Sequence, residues 1–181
     1  MQHQHSIKGI TKRLKMKIIL DKEPVKRVRE VLAKFDSNIS IITLNTTART
    51  AKDASCSLNC EIGAIVKSLL IKIEETFLIC LVAGDKRCSL NKLKKIFKKN
   101  NISMANATEV KEITGFSIGG VSPVAHIKKL NILIDKSLSR FTTVFAAAGN
   151  PHCVFKINYE DLRKITNGIE ENISEWEKPN Q

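Results

Sequence analysis

The chain has 181 residues and a mass of 20.2 kDa, a length that suits one domain able to bury about two thirds of its unfolded surface. Hydrophobic residues at 43% and charged residues at 27% are ordinary globular values, which excludes a disordered or fibrous chain. The formal net charge is +12 and the sequence pI is about 9.6, so the expected partner is a polyanion, with nucleic acid first, unless the lysines merely cover solvated faces. No apolar run reaches the roughly 20 residues a bilayer needs. Ile65 to Ile73 and Thr76 to Ala83 come closest, and they are interrupted by Lys67, Lys72 and the Glu74-Glu75 pair. With no apolar stretch after the basic N-terminus, a cytoplasmic protein without a membrane partner is expected. Five cysteines form no CxxC pair, so they read as reduced thiols, and neither metal nor cofactor is expected. A nucleophilic cysteine is the less favoured alternative, since it needs a His or carboxylate partner to activate it.

In chain order, residues 1–20 read as a basic N-terminal extension, partly helical, with His3 and His5 a weak metal signal. Residues 21–170 form the domain and 171–181 a polar C-terminal tail. Val25, Val28, Val31, Leu32 and Phe35 recur at helical spacing behind Pro24, which a first turn accepts. Ile39 to Leu44 reads as a strand, and Thr50 as the cap of a short helix to Leu58. Two strands, Ile65 to Ile73 and Thr76 to Ala83, make a central hairpin. Ser89 caps a helix to Lys98, and Asn106 caps another that stops at Gly115. A loop, Phe116 to His126, leads to strands at Asn131 to Asp135, Thr143 to Ala148 and His152 to Ile157. Asn158 caps a last helix ending before Gly168. The sum is an α+β domain, a mixed sheet or partly closed β-barrel of about seven strands flanked by about five helices.

Two features point to chemistry. Lys67 interrupts a strand that otherwise reads as buried, and a buried ammonium needs a counter-charge or an anionic ligand. Its alternative is an alternating strand with Lys67 facing solvent. Gly119-Gly120-Val121-Ser122-Pro123 combines two residues without side chains and a proline that fixes the backbone, so main-chain N–H groups can be aimed at a carbonyl oxygen. A plain turn is the alternative. No Ser-His-Asp or Cys-His order is legible, and only His126 and His152 lie in the domain to serve as bases.

The segment Cys60 to Leu69, Cys-Glu-Ile-Gly-Ala-Ile-Val-Lys-Ser-Leu, resembles the stretch that carries the signature lysine of the YbaK/prolyl-tRNA-synthetase-associated editing family. Thr114 to Pro123 resembles that family's GxxxP loop, with Gly119 and Pro123 at its ends. Ala146 to Pro151 with Val154-Phe155 is similar to its Ala-Ala-Gly-x-Pro-x-x-Val-Phe strand pair, and Arg49-Thr50-Ala51 to its Arg-Thr-Ala helix start. The matches run in order from about Val25 to Gly168.

The resemblance implies a trans-acting aminoacyl-tRNA deacylase that removes a small amino acid from a mischarged tRNA, tRNA-Pro or a related one, without a synthetase in the same chain. Expected partners are the acceptor end of the aminoacyl-tRNA and, secondarily, an aminoacyl-tRNA synthetase. By the resemblance, Lys67 holds the acceptor-end phosphate and Gly119, Gly120 and Val121 stabilise the carbonyl oxygen, while the base comes from the substrate. Arg49, Thr50, Ser68, Ser122, Pro123, Ala147, Ala148 and Gly149 are the accompanying substrate-binding candidates. Ala147-Ala148-Gly149 stands where the cysteinyl-tRNA branch carries Ser-Gly-Gly, which shifts the expectation to alanine, serine, threonine or another small residue. Lys26, Arg27, Arg29, Lys92, Lys94, Lys95, Lys98 and Lys99 are candidate contacts to the rest of the tRNA. The alternative function is a non-catalytic aminoacyl-, nucleotide- or RNA-binding module of the same fold.

Overall fold

A computed structural model describes residues 2–46 and 48–177, with side chains from residue 10 onward. The N-terminal extension is a helix, α1 (Gln2–Leu20), and the side chains of His3 and His5 lie outside the described residues. Helix α2 (Glu23–Phe35) carries Pro24 in its first turn and buries Val25, Val28 and Leu32, one face of a 3.6-residue period. The remaining helices are α3 (Ala51–Leu58), α4 (Leu90–Phe97), α5 (Ala107–Thr114) and α6 (Tyr159–Thr166). Capping boxes at Thr50 and Asn106 close the first turns of α3 and α5, and Asn158 accepts the Asp161 N–H at 2.8 Å to start α6. Ser89 stands at the N-cap of α4 without a side-chain cap bond.

The strands are β1 (Ile41–Thr43), β2 (Ile65–Ile73), β3 (Thr76–Ala83), β4 (Lys86–Cys88), β5 (Ile102–Met104), β6 (Asn131–Asp135), β7 (Thr143–Asn150), β8 (Cys153–Asn158), β9 (Ile169–Glu171) and β10 (Ser174–Trp176). The main sheet runs β1-β8-β7-β2-β3-β6-β9, with β5 also paired to β2. The β2/β3 hairpin sits at its centre, as the two apolar runs predict, and Glu74 takes the left-handed conformation in the turn. Pairings β2–β7, β3–β6 and β6–β9 are parallel and the others antiparallel, so the sheet is mixed. It stays open rather than closing into the barrel that was one expectation. Its end strands, β1 and β9, have three residues each, too short to carry the stagger that closure requires.

Both faces of the hairpin are covered, which explains why its sequence reads as apolar almost throughout. Val66, Leu70, Ile79 and Leu81 face one core with α2 and α6, whereas Ile71, Leu78, Cys80 and Val82 face a second with Leu93 of α4 and Ile173. The segment expected to be a polar tail from residue 171 instead carries β10, antiparallel to β4. The cause is Asp135, 1% exposed, whose carboxylate accepts the Ile173 N–H at 2.9 Å, the Ser174 hydroxyl at 2.7 Å and the Ser137 N–H at 3.0 Å. Burial alone would raise the Asp135 pKa, but these donors outweigh it and hold the group below its ordinary value. Lys92 adds a second tie, donating to the Asn172 side chain at 2.7 Å and the Ser174 carbonyl at 2.5 Å.

Candidate functional site

The site follows from a fork in the sheet. On the edge of β2 facing away from β3, pairing with β7 ends at Val66↔Ala146 and pairing with β5 begins at Ile71↔Met104. The Leu70 carbonyl accepts the Ala105 N–H at 3.0 Å, so the two-residue period of a strand turns the main-chain N–H and C=O of Ser68 toward the same open edge. No strand covers Lys67, Ser68 or Leu69 there. The Ser68 hydroxyl is itself buried without a hydrogen-bond partner, a costly arrangement that a polar ligand would relieve. The gap opens into a cavity of about 500 Å³, within the ordinary range for small-molecule sites.

Several sequence candidates meet on that cavity. Arg49, Thr50, Lys67, Ser68, Gly119, Val121 and Ala147 line it, together with apolar walls from Val66, Leu70, Val110 and Ala146. Gly119 lies at φ +87, a conformation that favours glycine, and a Cβ there would meet nothing nearer than Pro151 at 3.7 Å. The N–H groups of Gly119 and Val121 have no hydrogen-bond acceptor among the described residues.

Other candidates serve the frame instead. The Gly120 N–H is taken by the Ser117 carbonyl at 2.9 Å, and a Cβ on Gly120 would lie 3.0 Å from the Asn150 nitrogen, so this glycine lets the loop pack on β7. Ser122 is fully buried; its hydroxyl accepts the Val124 N–H at 3.4 Å and its carbonyl accepts from His126 Nε2 at 2.8 Å. Pro123 is buried beside it. Ala148 is buried in the core, and Gly149, at φ +86, would place a Cβ 2.7 Å from the Pro24 carbonyl; its role is the close approach of α2. Neither His126 nor His152 lines the cavity. Burial lowers the His126 pKa, outweighing its bond to Ser122, and Arg27 adds to the lowering.

Lys67, which the resemblance assigns to a phosphate, already has a counter-charge: its Nζ donates to the Glu177 carboxylate at 2.8 Å and also to the Lys86 carbonyl. The sequence concealed this because Glu177 lies 110 residues away and reaches the cavity only through the β4–β10 pairing.

Among the tRNA-contact candidates, Arg27 is pinned: it donates to Glu23 at 2.6 Å and the Ala125 carbonyl at 2.7 Å, and stacks 4.8 Å from the Phe116 ring. Arg29 donates to the Leu20 carbonyl. Lys92 ties down the C-terminal segment as described, and Lys99 pairs with Glu74 at 3.0 Å. Lys26 is exposed on α2, and Lys94, Lys95 and Lys98 on or beside α4 have no partner among the described residues.

An open mixed sheet whose forked central strand frames a cavity with the Lys67 ammonium, loop N–H groups and an unpartnered hydroxyl defines a polar-anchored ligand pocket; among the described residues no His or Cys lines it for a nucleophile–base pair. The chain belongs to the aminoacyl-tRNA editing domain family, whose sequence profile matches residues 45–165. A crystal structure described as a candidate trans-editing enzyme for prolyl tRNA synthetase aligns at TM-score 0.80 and 32% identity, covering 85% of this chain and 98% of that one. A second, the hypothetical protein APE2540, aligns at TM-score 0.76 and 25% identity, covering 82% and 99%. The proline–tRNA ligase of Bacillus cereus strain G9842 is 26% identical over 130 residues, 66% of this chain and 23% of that protein. The chain thus spans about a quarter of the length of the curated relatives it matches. No helix among the described residues is long and apolar enough to cross a membrane.

Proposed function

We propose that this editing domain acts in trans as an aminoacyl-tRNA deacylase, hydrolysing the ester that joins a small, wrongly attached amino acid to the terminal ribose of a tRNA, tRNA-Pro in first place. The observation that carries the reading is the open β2 edge, where a cation, a free main-chain edge and an orphaned hydroxyl meet the Gly119–Val121 loop in one cavity. The near-complete coverage of a chain described as trans-editing for prolyl tRNA synthetase supports the choice of substrate.

In this mechanism the acceptor-end phosphate takes the Lys67 ammonium from Glu177, a charge-for-charge exchange. The amino acid lies along the Ser68 edge, and the free N–H groups of Gly119 and Val121 stabilise the oxyanion that forms as water adds to the ester carbonyl. The carbon–oxygen bond to ribose then breaks, releasing free amino acid and uncharged tRNA. The neighbouring ribose hydroxyl of the substrate relays a proton, taking one from the attacking water and giving its own to the ribose oxygen that leaves. Positioning and oxyanion stabilisation supply most of the acceleration an activated ester needs. A deacylation screen across tRNAs charged with alanine, serine, threonine, cysteine and proline tests the assignment: hydrolysis of a small residue on tRNA-Pro supports it, and intact esters throughout refute it.

A further inference from the structure

The C-terminal strand that brings Glu177 to the cavity also presents Trp176 on the outside of the molecule, 63% exposed. It does not pack into either core. Its ring lies over the Lys86 ammonium at 3.0 Å from the centroid, with the Arg140 guanidinium 5.6 Å away. Arg140 is held in place by a two-pronged bond to Asp85 at 2.9 and 2.6 Å. Lys86 is opposite Trp176 in the β4–β10 ladder, and its carbonyl holds Lys67 inside the cavity. One short strand pair therefore links the aromatic ring outside to the ammonium within.

A large exposed aromatic ring costs solvation unless something covers it, and a ring bordered by two cations suits a flat, electron-rich group attached to an anion. A nucleotide has that chemistry. We propose that Trp176 is the stacking platform for the nucleobase of the terminal nucleotide, with Lys86 and Arg140 facing the next phosphate along the CCA strand, so that stacking outside and the Lys67 contact within hold one acceptor end at two points. The platform rests on the deacylase reading for the identity of the RNA, but its stacking is measurable without hydrolysis. Its position also explains why the C-terminal segment is tied down by Asp135 and Lys92: a platform on a loose tail would lose ordering entropy each time RNA bound.

Trp176 is the chain's only tryptophan, so fluorescence excited at wavelengths that Tyr159 does not absorb reports on this ring alone. Titration of the full-length protein with the uncharged trinucleotide CCA at low salt is expected to quench it saturably, and the same trinucleotide lacking its terminal base is expected not to. Equal quenching by both probes, or none by either, overturns the proposal even if the protein proves to be a deacylase. In turnover, Trp176→Ala is expected to raise KM about five- to hundredfold with kcat nearly unchanged, and Trp176→Phe to restore most of the loss, because base–aromatic stacking tolerates a change of ring. Unchanged KM in Trp176→Ala, or a failure of phenylalanine to rescue, also overturns it. If no charged tRNA is hydrolysed but base-dependent quenching persists, the platform stands and the deacylase reading falls.

Discussion

Glu177→Gln should make the domain bind its substrate more tightly. In the free protein the Glu177 carboxylate sits 2.8 Å from Lys67 Nζ, with the lysine side chain 22% and the glutamate 55% exposed. A pair this open to solvent is worth about 0.5–1 kcal/mol after screening and side-chain entropy. A phosphate arriving at Lys67 must displace that carboxylate, so the pair energy is subtracted from substrate affinity. Replacing the carboxylate by an amide removes most of the competition and leaves the Lys86 carbonyl to orient the ammonium. KM for a mischarged tRNA should fall about two- to fivefold, the factor equivalent to that energy, with kcat unchanged. Steady-state deacylation at two salt concentrations measures it, and the difference should shrink at higher salt as screening weakens the pair. A fall in kcat, or a KM that rises, would refute the displacement argument and give Glu177 a role in the chemistry.

The two left-handed glycines should separate frame from site. Gly149→Ala is expected to cost about 2–4 kcal/mol, because strained backbone and a clash with Pro24 add together, whereas Gly119→Ala should cost about 1 kcal/mol and mainly lower turnover; thermal unfolding and initial rates distinguish them. Asp135→Ala should cost about 2–4 kcal/mol by stranding buried donors. Because the folded-state pKa of Asp135 lies below its unfolded value, its contribution is full above about pH 4 and lost as pH falls further, so the variant's unfolding free energy should decline less than the wild type's over that acidic range. Charge reversal at Lys94, Lys95 and Lys98 should raise KM and flatten its salt dependence while kcat stays nearly constant, and equal cleavage of a short charged minihelix and full tRNA at every salt concentration would show that these lysines are only a solvated face.

What was legible in the sequence followed local rules. The hairpin at Ile65 to Ala83 appears where its apolar runs and Glu74-Glu75 turn put it, and the Thr50, Asn106 and Asn158 caps start helices as their side chains predict. Lys67 stood out because charge inside an apolar strand demands a reason, and the structure places it at the gap in the sheet. Long-range pairing was not legible. Nothing in the polar stretch after Gly168 reveals that Asp135 fixes it, so β10, the Glu177 bond to Lys67 and the Trp176 face were all missed. The glycines were seen but not sorted, since a need for open space at Gly119 and a need for close packing at Gly120 and Gly149 look alike in one dimension.

Single-turnover deacylation of alanyl-tRNA-Pro by the wild type and by Lys67→Ala, with prolyl-tRNA-Pro as the control ester, tests the central claim most directly. The account predicts that the wild type releases alanine far faster than proline, and that Lys67→Ala loses about a hundredfold or more in rate while unfolding at nearly the same temperature. Alanyl-tRNA-Pro left intact by the wild type, or cleaved equally well without the lysine, would contradict it.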